Sequence, residues 1–231
     1  MDRSTDIGKP KAAPELRSAP QSPAHATPVV PLWPSDVPGT VALEPLQKVN
    51  ERCIELLANA ARSDRRGTFP LVIQLRDTLP ALTSQSRLQA ASQAVLLVEM
   101  EFTNLPWWEA IRKHPGRASA QPVRQGSFPR ASAVQLGRAT LMLVWHSLRA
   151  DGRTACLFGI TPAVAEVITA FSLTEMDRIL ERRFRHVRPR WEDRPAVWHQ
   201  LLQAAQSADA RQARDVRLRA LQLITGELWA Q

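Results

Sequence analysis

The chain has 231 residues, 44% of them hydrophobic, and 30 basic against 22 acidic side chains give it a formal net charge of +8. That apolar share supports a real core and excludes a wholly disordered chain, while the basic surplus favours anionic partners, nucleic acid first and acidic protein faces second. Two cysteines, Cys53 and Cys156, exclude a disulfide framework, and no apolar run approaches about 18 residues, so neither a signal peptide nor a membrane span is expected and a reducing cytoplasm is the expected location.

Residues 1–44 hold "KPKAAPELRSAPQSPAHATPVVPLWPSDVPG", a Pro-rich stretch that predicts a disordered or polyproline-like tail. A helical domain is expected over 45–112. Its first helix, "LEPLQKVNERCIELLANAARSD", places Leu46, Val49, Cys53, Leu56, Leu57 and Ala60 on one stripe at spacings of three and four. "TFPLVIQLRDTL" reads as a second helix, with Thr68 as cap and Pro70 in the first turn. "SQSRLQAASQAVLLVEMEF" reads as a third, through to Phe102, and "NLPWWEAIRKH" as a short fourth carrying Trp107 and Trp108.

The stretch 113–128, rich in proline, glycine and basic residues and lacking acidic ones, predicts a linker. Beyond it a second helical domain is expected over 129–231. It opens with a long helix from about Pro129 to Ala150 whose apolar residues cover most of the circumference. Asp151-Gly152 turns the chain into a short apolar segment stopped by Gly159. Thr161-Pro162 caps the next helix, and Ser172 with Glu175 forms a capping box for the one after. Two further helices, "RPAVWHQLLQAAQ" and "DARQARDVRLRALQLITGELWAQ", complete the chain, the last with Val216, Leu218, Leu221, Ile224 and Leu228 as its apolar face. No alternating strand pattern is read anywhere. The expected fold is all-α, two small helical bundles joined by a basic linker.

An enzyme or metal centre needs a constellation of residues, and none is found. The five histidines do not recur at metal-ligand spacing, and there is neither a Gly-rich phosphate loop nor a nucleophile elbow. No catalytic residue, metal or cofactor is therefore expected. His146 reads as a core or interface histidine, and both cysteines as small hydrophobes on apolar faces. Trp107 and Trp108 are either a bundle-end plug or a binding surface; with Trp145 and Trp198 they are the candidate protein-interface residues. From Arg178 to Arg194, seven arginines face Glu181, Glu192 and Asp193, a local net of +4. Arg178, Arg182, Arg183, Arg185, Arg188, Arg190 and Arg194, with Trp191 among them, are the candidate contacts to DNA or an acidic partner, since guanidinium groups beside aromatic rings suit phosphate contact and stacking. A plain solvated face is the alternative. Direct base reading by "LTEMDRILERR" is not expected, because its first turn carries mixed charges and the break before it is too short for a helix-turn-helix.

The same residues resemble the FlhD family of flagellar transcription regulator subunits. The likeness is carried by about 55 residues within 134–191: the long apolar helix, the Asp-initiated segment ending at Gly159-Ile160, the helix ending at Ala170 to Leu173, Met176, and the Arg190-Trp191 exit. It implies a non-enzymatic, dimerising helical subunit that joins a second, FlhC-like regulator to bind promoter DNA, the partner bringing zinc and much of the DNA contact. Val187 stands where that family has a bridging cysteine, and the first helical domain and the tail have no counterpart in it. The alternative expectation is a helical adaptor or chaperone-like protein that binds proteins only.

Overall fold

The computed structural model describes residues 43–63, 69–114, 125–207 and 209–229. The expected tail lies outside the described residues except for Leu43 and Glu44, as does the Thr68 cap. The described chain is all-α apart from one two-residue strand pair.

Helix α1 (Leu43–Ser63) follows from its apolar stripe, and Leu46, Val49, Cys53, Leu56 and Leu57 are all buried. The expected second helix instead breaks into two single turns, α2 (Pro70–Gln74) and α3 (Thr78–Ala81). Pro80 has no N–H to offer the Arg76 carbonyl, so a continuous helix would lose that bond. Leu71, Val72, Leu75 and Leu79 are buried nonetheless.

The third helix is the larger departure. α4 (Ser84–Ala91) starts as expected, with the Thr83 hydroxyl accepting from the Ser86 N–H at 3.1 Å, but ends well before Phe102. The Ser92 hydroxyl donates to the Gln89 carbonyl at 2.8 Å, and the chain then runs irregularly to β1 (Val98–Glu99). β1 pairs antiparallel with β2 (Arg188–Pro189), Val98 opposite Pro189 and Glu99 opposite Arg188. In "VEMEF" Val98, Met100 and Phe102 are buried while Glu99 and Glu101 are half-buried, the period of two that marks a strand and that the helical reading passed over. Asn50 on α1 makes the irregular stretch possible. Its amide donates to the carbonyls of Ala91 (3.1 Å) and Val95 (2.9 Å) and accepts from the Leu97 N–H (2.8 Å), satisfying backbone groups that a helix would have paired internally.

α5 (Leu105–Lys113) is capped by Asn104, which accepts from the Trp107 N–H at 3.1 Å. α6 (Arg130–Ala150) is the long central helix. Asp151 caps a 3-10 turn over 152–154, α7 (Ala155–Phe158) follows, and Gly159 closes it in the left-handed region at φ +65°. α8 (Pro162–Ala170) and α9 (Leu173–Arg183) begin at the two expected caps, and α10 (Pro195–Gln206) and α11 (Ala210–Trp229) end the fold.

The division into two bundles at 113–128 does not form. α1 packs on α6, α4 on α10, and α5 on α8. Helices from both sides of that stretch share one hydrophobic core running from Leu46 to Ile224, within a unit spanning Pro38–Gln231. Residues 115–124 of that stretch lie outside the described residues; at its described end Phe128 is buried. Physically, the short helices α2 to α5 cannot enclose their apolar faces alone, and the β1–β2 pairing joins the halves directly.

Candidate functional site

The expected capping box fixes the start of α9. The Ser172 hydroxyl accepts from the Glu175 N–H at 3.3 Å, and the Glu175 carboxylate accepts from the Ser172 N–H at 2.8 Å. Such a cap stabilises a helix by about 1 kcal/mol. From that start the helical period turns Met176, Ile179 and Leu180 into the core and leaves Arg178 and Arg182 exposed on the opposite side; Arg185 is exposed in the 3-10 turn over 184–186 that follows.

Two ion pairs bring further arginines to this side. Arg138 on α6 meets Asp177 at 2.7 Å, and Arg130 meets Glu181 at 2.7 Å. Both pairs are about half exposed, so each stabilises by at most about 1 kcal/mol. The guanidinium groups of Arg130 and Arg185 lie 5.8 and 5.7 Å from the centre of the Phe184 ring. Arg130, Arg138, Arg178, Arg182 and Arg185 thus outnumber Glu175, Asp177 and Glu181 on the α6–α9 side, a formal +2. Close approach of the two helices needs Gly137, where a Cβ would run into Leu180 and Val187. Arg183 is half-buried, and burial first, then the charge of Arg182, lowers its pKa.

Arg188, Arg190 and Trp191 belong to a different structure, which corrects their expected role as outward contacts. Arg188 spans three carboxylates, Glu99 at 2.6 Å, Glu101 at 3.3 Å and Glu192 at 3.5 Å. Burial works against its charge, but these acids outweigh burial and raise its pKa. Arg190 is 2% exposed and donates to Glu227 at 3.0 Å and to the Phe158 carbonyl. Burial lowers its pKa, with Glu227 opposing. The Trp191 indole, also buried, donates to the other Glu227 oxygen at 2.7 Å, and its backbone is held at φ +56°. Arg194 stays exposed.

Glu101 closes the network. It accepts from Arg188 and from Asn104 (3.0 Å), and His186 Nδ1 lies 3.3 Å away. The hydrogen bond with His186 is the largest cause of a pKa lowered to about 2, with Asn104 and the Arg188 charge adding to it against burial. Its own backbone is at φ +53°. Glu99, Glu101, Glu227 and Asn50 were not marked from the sequence. The only local signal was the alternation of Glu99 and Glu101 with apolar residues; Glu227 and Asn50 carry none, since their partners are remote in the chain.

Three of the four expected interface tryptophans are interior. Trp107 and Trp108 are buried edge-to-face at 4.9 Å, and Trp108 donates to the Glu101 carbonyl at 2.9 Å. Trp198 donates to the Arg190 carbonyl at 2.8 Å. These rings plug the core, as the bundle-end alternative has it. Trp145 alone is half-buried, donating to the Phe171 carbonyl at 3.1 Å with Arg149 over its ring at 4.5 Å. His146 is exposed beside it, not a core histidine. Cys156 is exposed too, against the apolar-face reading, whereas Cys53 is buried and burial pushes its thiol pKa up.

Among the described residues no group of three or more His, Cys, Asp or Glu could hold a metal ion, and no single helix is long and apolar enough to cross a membrane. No protein-family model, curated protein or solved structure matches the chain.

Proposed function

We propose that the chain is a non-enzymatic regulator subunit whose α9 arginine stripe docks nucleic-acid phosphate. The observation that carries this reading is the exposure of Arg178 and Arg182 along α9 and of Arg185 in the turn that follows it, where with Arg130 and Arg138 they outnumber the acids Glu175, Asp177 and Glu181. The mixed first turn of α9 suits backbone contact over base reading, so sequence choice falls to a partner. The resemblance of 134–191 to FlhD proteins supports the same reading and implies an FlhC-like partner and promoter DNA, with a dimer as the assembling unit. Val187, which stands where that family has its bridging cysteine, is fully buried against α6, so dimerisation here would use another surface.

The test is duplex DNA binding by the full chain and by a triple variant, Arg178→Glu with Arg182→Glu and Arg185→Glu. The proposal expects the variant to fold normally and to lose at least tenfold in affinity; unchanged affinity contradicts it.

A second reading, a protein-binding adaptor without DNA binding, is favoured by α11. Trp229 is 84% exposed and Leu218, eleven residues earlier and so on nearly the same side of the helix, is 48% exposed. On this reading Trp229→Ala abolishes partner capture and the triple variant does not.

A further inference from the structure

Behind the β1–β2 pair lies a cavity of about 460 Å³, inside the size range of small-molecule sites. Phe102, Pro189 and Trp191 give it apolar walls, Gly159 and Arg190 line it, and Thr103, Asp193 and Arg194 contribute polar groups. The backbone around it is strained for its residue types. Trp191 in the wall and Glu101 next to Phe102 both hold positive φ, a conformation that persists only where surrounding structure enforces it and that gathers at ligand sites. Gly159 has no Cβ because one would overlap the Arg190 guanidinium, and its φ of +65° favours glycine as well. Arg190 is thereby pressed into the lining as a buried charge.

The hydrogen-bonding capacity of the lining indicates the ligand. The carboxylates of Glu99, Glu192 and Glu227 already accept from Arg188, Ser127, Arg190 and Trp191. Asp193 is the acceptor without a partner, and the Arg194 guanidinium and the Thr103 hydroxyl likewise have none among the described residues. Arg190 Nε is buried with no partner either. Donors are therefore in surplus, which favours a ligand bearing a carboxylate. Formal charge points the other way: Arg188, Arg190 and Arg194 against Glu99, Glu192, Asp193 and Glu227 leave −1, which disfavours a bare anion. A ligand with both a carboxylate and an ammonium group satisfies both conditions.

We infer that this cavity binds a small zwitterion of the free α-amino-acid class, its carboxylate on Arg194, its ammonium on Asp193, and its side chain against Trp191 and Phe102. The site is separate from the α9 arginines and does not depend on what they bind.

The experiment is isothermal titration of the full chain with each of the common free α-amino acids, and with succinate and butylamine as single-charge controls. Asp193→Ala and Arg194→Ala, both at exposed positions, are titrated in parallel, with circular dichroism to confirm folding. The inference expects saturable binding of at least one amino acid, weakened tenfold or more in each folded variant and by neither-charge controls matched. It is overturned if no amino acid binds the folded chain, if both variants bind like the parent, or if succinate or butylamine binds as tightly as any amino acid. Should a variant fail to fold, Arg194→Gln and Asp193→Asn take its place and carry the same expectations.

Discussion

Arg190 and Glu227, 37 positions apart in the chain, meet at 3.0 Å with the arginine almost wholly enclosed. Through this contact the end of α11 is fastened to the residue that follows β2, and the same carboxylate holds the Trp191 indole at 2.7 Å. One acid thus neutralises a buried charge and anchors a residue in a strained backbone conformation.

Removing that acid leaves the guanidinium buried without its ion-pair partner, with only the charge of Glu99 still acting on it. Glu227→Ala is expected to destabilise the fold by about 3 kcal/mol or more, because a buried pair broken on one side costs far more than an exposed one. Urea unfolding of the parent and variant measures it; a loss below about 1 kcal/mol would show that Arg190 is served by other groups.

Asn50 offers a second test, on hydrogen bonding. Its side chain serves the backbone of Ala91, Val95 and Leu97 from a fully buried position. Asn50→Ala orphans three backbone groups, and about 1–3 kcal/mol for even one such group makes a loss of at least about 2 kcal/mol the expected result. Hydrogen exchange should locate the damage at 92–99, not along α1.

Acid sensitivity follows from Glu101. Its folded pKa of about 2 lies below the ordinary glutamate value of 4.5, so between these values the unfolded chain binds more protons than the folded one. The stability Glu101 contributes is complete above about 4.5 and is lost as pH falls toward 2. Glu101→Gln is expected to lie below the parent in stability near neutral pH and to converge on it toward pH 2, as thermal unfolding across that range will read. A constant gap between the two curves contradicts the assignment.

Gly137→Ala probes the contact that presents the arginine face. The added methyl meets Leu180 and Val187 in the α6–α9 seam, and overpacking of this kind costs about 1–3 kcal/mol. An unchanged melting temperature would mean that the seam can open without loss.

What could be read in the sequence and what could not divide along a physical line. Caps and helical stripes are local, and Ser172 with Glu175, Thr161 with Pro162, Gly159 and the face of α1 all stand where spacing put them. The break after Ala91 was missed because a run as apolar as Val95 to Val98 is compatible with helix or strand, and the deciding partner, Asn50, lies more than 40 residues away. The single core was missed for a related reason. Proline and glycine at 113–128 are local signals and carry no information about whether α1 will meet α6. Within the arginine run, sequence could not separate Arg178, Arg182 and Arg185, left outside by the period of α9 and the turn after it, from Arg188 and Arg190, which are drawn inward by Glu99, Glu101 and Glu227 from elsewhere in the chain.

The most direct measurement is fluorescence anisotropy of a labelled DNA duplex with the full chain, taken between about 50 and 200 mM salt for the parent and for the triple Arg178→Glu, Arg182→Glu, Arg185→Glu variant. The account expects the parent to bind at low salt with affinity falling steeply as salt rises, and the variant to show a slope reduced by about 0.9 for each phosphate contact removed. A parent that does not bind the duplex at about 50 mM salt, or two indistinguishable slopes, would contradict it.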